Sequence, residues 1–300
     1  MLIGANHRCP AKATTSRQLW PPALAKEIPA VVERRRLAAD LARLEIPPEP
    51  GVLVHCSMGS IGNVTGGPAA ILAALRDALG TTTTIVVPTQ TANNSFTSPT
   101  HHLVTAGMSS ADLRTYVDAM PGFDPAATPS FAMGRFAEHV RIQREAVRST
   151  HPQSSFAAIG RHARDWMDPH DLDCHLGDRS PLGAMYRAGA HTLLLGVGFA
   201  SCTAFHLAEY RLDVAPLVRP HRCFIQREGR RDVVEFHAPH LDASDFDAIG
   251  AAYCRQRPVT VGRVGAATAM AFPIRSAVDF ATLWMNANRQ SRPTPANGAA

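Results

Sequence analysis

His206 and Glu209 stand three residues apart in the stretch 203–210, TAFHLAEY. On a helix that spacing puts both side chains on one face, where an imidazole can hydrogen-bond a carboxylate. Imidazole titrates near neutral pH, and a carboxylate partner fixes which ring nitrogen carries the proton. A pair of this kind just beyond a strand end is a common way to build a general base, although H-x-x-E also occurs on solvated helix faces. Thr203 opens the stretch. Its hydroxyl suits either a helix N-cap or a hydrogen-bond donor to a developing oxyanion.

The elements that must hold these residues can be read from apolar runs and breakers. Residues 193–197 (LLLGV) form a short continuous apolar run, as expected of a strand buried on both faces, and Gly196 and Gly198 free the backbone where it ends. Upstream, 52–55 predicts another buried strand, 57–67 a loop rich in Gly and Ser, 68–79 a helix ended by Gly80, and 82–87 a further strand. Strand, loop, helix and strand make a βαβ unit with a parallel pair and a right-handed crossover. Gly66-Gly67-Pro68 in its loop is either a plain turn or a set of free N–H groups suited to a pyrophosphate. The polar run 88–99 (PTQTANNSFTSP) lies at the carboxyl end of a strand, where open α/β sheets bind ligands.

Further helices are expected over 28–44, 136–147, 162–167, 180–186, 246–254 and 276–287, and a strand over 155–159. A hairpin pairs 223–226 with 232–236 through a turn at Glu228-Gly229, and 260–271 predicts a short strand and a glycine turn. Residues 100–135, punctuated by Pro121, Pro125 and Pro129, form a small helical insertion near the site. The expected organisation is one α/β domain over 29–287, a mixed sheet flanked by helices, with tails at 1–28 and 288–300.

Six segments, in order, resemble the aminoglycoside 3-N-acetyltransferase (antibiotic N-acetyltransferase) family. The stretch 203–210 resembles its T-x-x-H-L-A-E-Y block, and 52–67 (VLVHCSMGSIGNVTGG) its L-V-H-S-S-L-x-S-L-G-x-V-x-G-G segment. IVVPT at 85–89, HPQSSFAAIG at 151–160, SPLG at 180–183 and GRVGA at 262–266 complete the series, which spans roughly 35–285. The resemblance implies acetyl transfer from acetyl-CoA to an amine, the 3-amino group of an aminoglycoside, in a fold distinct from the common GNAT fold. The Gln/Arg-x-x-Gly-x-Gly/Ala fingerprint of that common fold is absent from the sequence.

On the family pattern His206 is the catalytic base, Glu209 either orients its ring or orders the loop, and Thr203 is a catalytic candidate. Ser57, Met58, Gly59 and Ser60, with Thr65, Gly66 and Gly67, match segments that line the cofactor channel. Cys56 stands where the family commonly has Ser, which reads as a packing variant. Two regions depart from the pattern on the acceptor side. Asn93 and Asn94 occupy a loop that often carries an acid, and His237 and His240 stand where a second acidic cluster is common. These four are the candidate substrate-binding residues. Each missing carboxylate weakens attraction for an ammonium group.

Composition excludes several other functions. With 45% hydrophobic and 18% charged residues the 300-residue chain is an ordinary globular protein. No apolar run reaches the length that spans a bilayer, and the first residues lack a signal-peptide core, so a cytoplasmic protein is expected. The net charge of +5 rests on arginine, since Lys12 and Lys26 are the only lysines. No basic stripe interleaved with aromatics points to nucleic acid. Basic residues over 211–231 form either a solvated face or part of a phosphate site. The six cysteines show no C-x-x-C, and His237, His240 and Asp242 lack a zinc spacing, so neither disulfide framework nor metal is expected. A serine-hydrolase reading fails for want of a G-x-S-x-G elbow. The expected partner is a small-molecule amine, with no nucleic acid or membrane, and the protein a monomer or homodimer.

Overall fold

The computed structural model describes residues 31–289. In chain order these comprise α1 (Arg34–Ala42), β1 (Gly51–Cys56), α2 (Met58–Ile61), α3 (Gly67–Leu79), β2 (Thr84–Pro88), α4 (Pro99–Thr105), α5 (Ser110–Ala119) and α6 (Gly134–Arg141). There follow β3 (Val147–Arg148), β4 (Phe156–Ile159), α7 (Ala163–Met167), α8 (Pro181–Ala188), β5 (His191–Leu195), a 3₁₀ turn (Phe199–Ser201) and α9 (Phe205–Glu209). The chain continues through β6 (Val218–Arg227), β7 (Arg230–Pro239), α10 (Phe246–Gln256), β8 (Thr260–Val264), β9 (Ala267–Pro273) and α11 (Ile274–Arg289).

Seven strands form one mixed sheet in the order β3-β4-β2-β1-β5-β9-β8, and β6 and β7 make a separate hairpin. At its centre β1 runs parallel to both β2 and β5, while β4 and β9 flank them antiparallel. The central strands are apolar throughout because both faces are covered. Side chains alternate across the pleat: Val52, Val54, Ile85, Val87, Leu193 and Leu195 pack with α1, α3 and α6. Leu53, Val86 and Leu194 point the other way, into a core built with α7 to α11. The parallel β1–α3–β2 unit expected from the sequence is present. All three parallel strands therefore end on the same edge, and the loops after Cys56, Pro88 and Leu195 gather there.

Gly196 makes the turn out of β5. Its φ is +71°, and a Cβ there would come within 2.6 Å of the Ser60 Cβ. Only glycine tolerates both the left-handed backbone and the approach of the β1 loop.

Several expected boundaries shift. β5 covers 191–195 rather than 193–197, because the chain leaves the ladder at Gly196. α6 ends at Arg141 instead of reaching 147, since residues 147–148 pair with β4 as β3. There the Arg148 guanidinium is drawn inward to the Thr89 carbonyl at 2.6 Å and to the Thr128 carbonyl. Tertiary hydrogen bonds override the helical composition of that run. The hairpin turns at Glu228-Gly229 as read, but its strands extend to ten residues each. Residues 260–271 give two paired strands. α11 runs to Arg289, so 288 and 289 are helical and not part of a tail. The tail expected at 1–28, and the remainder of the one expected at 288–300, lie outside the described residues.

Within 100–135, α4 and α5 form and the chain then returns as a loop. Phe123 is buried and bridges to Ile225 of the hairpin, and Ala132 and Met133 come back to the edge of the sheet where the parallel strands end. No helix among the described residues is long and apolar enough to cross a membrane.

Candidate active site

A cleft of about 560 Å³ opens at the carboxyl ends of the parallel strands. Its walls come from the β1 end and following loop (Val54 to Gly59), from Pro88 and Gln90 after β2, from Val197, Ala200, Ser201, Thr203 and His206 after β5, and from 132–137 with Phe246. This is the edge at which parallel strands present ligand-binding loops.

His206 and Glu209 meet there. The Nδ1 of His206 lies 2.6 Å from Oε2 of Glu209, as the three-residue spacing predicted. A carboxylate only accepts, so this contact assigns the proton to Nδ1 and leaves the Nε2 lone pair as the available base. Phe246 packs against the imidazole with ring centroids 4.7 Å apart. Glu209 is buried to 1% exposure, yet every side of its carboxylate is bonded. Oε1 accepts from the Asp242 backbone N–H at 2.8 Å and from Nη1 of Arg289 at 2.6 Å. Arg289 in turn grips Asp245 with Nε at 2.9 Å and Nη2 at 2.7 Å, and donates to the Asp242 carbonyl at 2.7 Å. Burial opposes the charge on Arg289, but its bonds to Asp245 and Glu209 outweigh this and raise its pKa above the ordinary arginine value.

Thr203 does not cap a helix. α9 begins at Phe205 with Ala204 at the N-cap, and the His206 N–H is taken by the Thr203 carbonyl at 3.1 Å. Because backbone bonds satisfy this tight turn, the Thr203 side chain is left on the cleft wall. Of its two sequence readings, N-capping is excluded.

The strand floor supplies two further groups. Burial pushes the Cys56 thiol up to about 12, so it stays protonated and is a poor nucleophile. His55 is held neutral by burial, its pKa lowered to about 4, and its Nε2 has no hydrogen-bond partner.

The wall at 132–137 is fixed from behind. Glu138 accepts from the Ser130 N–H at 2.9 Å and pairs with Arg141, whose Nη1 donates to the Ala126 carbonyl at 2.9 Å. Arg135 stands exposed at the rim. Among the described lining residues it is the only arginine, and none is acidic.

The structure thus gathers His206, Glu209, Thr203, Ser57, Met58 and Gly59 at or directly behind the cleft. Ser60 sits beside them, its hydroxyl 2.9 Å from that of Ser57, without lining the wall. Thr65, Gly66 and Gly67 lie apart from the cleft, where the Gly67 N–H bonds the Val64 carbonyl at 3.0 Å. Nor do Asn93, Asn94, His237 or His240 line it. Asn94 is buried, and its amide bonds both the carbonyl (2.6 Å) and the N–H (3.3 Å) of Phe224, tying its loop to the hairpin. Asn93, His237 and His240 are exposed. Sequence reading missed His55, Gln90, the 132–137 wall, Phe246 and Arg289. Arg289 is basic in the last turn of an amphipathic helix, a signal that reads equally well as a helix-dipole contact.

Comparison with known proteins agrees with this geometry. The profile of the aminoglycoside 3-N-acetyltransferase family matches residues 53–286. A prophage-derived aminoglycoside N(3')-acetyltransferase-like protein of Bacillus subtilis, YokD, is 34% identical over 84% of this chain and 91% of its own. The crystal structure of that protein superposes with a TM-score of 0.80, covering 87% of this chain and 95% of the other. Aminoglycoside N(3)-acetyltransferase VII of Streptomyces paromomycinus is 32% identical over 88% and 94% of the two chains. A structure of aminoglycoside acetyltransferase AAC(3)-IVa in complex with a gentamicin is 27% identical, with a TM-score of 0.68 over 86% and 89%. With its mixed sheet, its strand-end cleft and a family match spanning most of its length, the chain belongs to the aminoglycoside 3-N-acetyltransferase family.

Proposed function

We propose that the protein transfers the acetyl group of acetyl-CoA to an amine, the 3-amino group of an aminoglycoside, with His206 as general base. The observation that carries this reading is the 2.6 Å His206–Glu209 contact at the cleft wall, which leaves Nε2 as the acceptor for a proton. The amine nitrogen attacks the thioester carbonyl and passes its proton to Nε2. Glu209 stabilises the imidazolium that forms. Collapse of the tetrahedral intermediate breaks the C–S bond, and the imidazolium returns the proton to the departing thiolate. The Thr203 hydroxyl is placed on the same wall to donate to the oxyanion. Ser57, Met58 and Gly59 line the path for the pantetheine arm, and Arg135 at the rim offers a cation to the cofactor phosphates.

The acceptor rests on the relatives: the names of several are aminoglycoside N(3)-acetyltransferases, and AAC(3)-IVa has been captured with a gentamicin. A second acceptor reading, an amine on a less cationic scaffold, is favoured by the lack of acidic side chains among the described lining residues. Thiol release from acetyl-CoA, measured across gentamicin, sisomicin and simpler primary amines with mass spectrometry of the products, separates the two. Rapid acetylation of gentamicin or sisomicin supports the aminoglycoside. Turnover of simple amines alone supports the second reading, and no turnover together with no stabilisation by CoA removes the enzyme reading.

A further inference from the structure

A base is only as good as the group that holds it, and here that group is itself held from another part of the fold. Glu209 sits on α9, while three of its neighbours come from elsewhere. The Asp242 N–H and the Asp245 carboxylate lie in the loop before α10, and Arg289 is the final described residue of α11. Arg289 uses Nε, Nη1 and Nη2 on four oxygens: both of Asp245, one of Glu209 and the Asp242 carbonyl. That fork is rigid and planar, so it fixes the rotation of the Glu209 carboxylate as well as its position. With Oε1 pinned, Oε2 is aimed at Nδ1 of His206.

The charges are matched to proton transfer. Two carboxylates share one guanidinium, which leaves one negative charge beside a neutral imidazole. When His206 accepts a proton the cluster becomes neutral overall. Without Arg289, two buried carboxylates with exposures of 1% and 3% would face each other unbalanced.

We infer that Arg289 is a positioning residue for catalysis, a clamp through which α11 and the loop before α10 hold Glu209 and thereby the tautomer and orientation of His206. This rests on the general-base reading of His206.

The test pairs kinetics with histidine NMR on the full chain. The acceptor is sisomicin, and the variants are Arg289→Met, Arg289→Lys, Glu209→Gln and the double variant Glu209→Gln with Arg289→Met. Wild-type protein should show a low-field Nδ1 proton on His206 and an unprotonated Nε2. Arg289→Met should lose that resonance and lower kcat about 10- to 100-fold, the usual effect of removing a supporting partner, with the KM for acetyl-CoA within about twofold. The double variant should be no slower than Glu209→Gln alone, because both act through one group. Arg289→Lys restores the charge without the fork and should recover only part of kcat.

A wild-type kcat in Arg289→Met, fully additive losses in the double variant, or an unchanged Nδ1 resonance would overturn the inference. If Arg289→Met does not fold, Arg289→Lys decides: an Nδ1 signal and kcat both reduced support the clamp, and wild-type values for both refute it. The NMR measurement needs no acceptor. It therefore judges the clamp even if sisomicin proves not to be a substrate, in which case only the acceptor reading fails.

Discussion

At the residue scale the site is a short chain of bonds, and each link has its own expected phenotype. Glu209→Gln keeps the size of the side chain but removes the charge that stabilises the imidazolium. The kcat of this variant should fall about 10- to 1000-fold, while CoA raises its melting temperature as it does for wild type. Thr203→Val removes a hydroxyl that caps nothing, so its melting temperature should stay close to wild type. Its kcat should fall if that hydroxyl meets the oxyanion, and an unchanged kcat would take Thr203 out of the chemistry. The dyad was legible in the sequence because its two members are three positions apart and a helix brings such residues together. The other partners of Glu209 lie 33 and 80 positions away. No local period connects them, so Asp242 and Arg289 emerged only with the fold.

Elements set where those residues stand. The segment that carries Thr203 and His206 is anchored by Phe199, which stacks on Phe205 at 5.8 Å and on Phe272 at 5.5 Å. α10 closes over Phe199 at Gly250, where an added Cβ would overlap the ring. Gly250→Ala should therefore cost about 1–3 kcal/mol of stability by overpacking and lower kcat by displacing the segment, which a melting curve and an initial-rate assay would show. Wild-type values in both would mean that α10 yields freely. On the far side Asn94 joins the loop after β2 to the hairpin through Phe224. Asn94→Ala leaves buried backbone groups unpaired and should cost about 1–3 kcal/mol, with the KM for the amine little changed. A raised amine KM at unchanged stability would instead make Asn94 a substrate contact. Buried strands and amphipathic helices were readable from composition. The early end of α6 was not, because it depends on carbonyls that Arg148 meets only after folding.

At the scale of the whole molecule, a buried group of histidines joins the sheet edge to the hairpin. His151 lies with its ring centroid 4.8 Å from His170 and 4.5 Å from His175, and His175 lies 4.6 Å from His221. Burial lowers the pKa of His170 to about 4 and of His175 to about 3, and holds His151 well below the ordinary value. In the unfolded chain each titrates near about 6.5, so below that pH the unfolded state binds more protons than the folded one. The stability they allow is complete above about pH 6.5 and is lost as the pH falls toward their folded values. Each histidine contributes a slope approaching about 1.4 kcal/mol per pH unit within that window. The melting temperature should therefore fall between about pH 6.5 and 5, before most carboxylates titrate; a flat profile there would show that the cluster is accessible to protons in the folded state. The sequence supplied the histidines but not their meeting, since they come from four separate stretches of chain.

The central claim is that His206 takes the proton from an amine attacking acetyl-CoA. Its most direct test is thiol release from acetyl-CoA with sisomicin as acceptor, compared between wild type and His206→Ala. The account predicts turnover in wild type and a loss of about 100- to 10,000-fold in the variant, with CoA stabilising both proteins against heat to the same extent. Near-normal turnover by His206→Ala would contradict it.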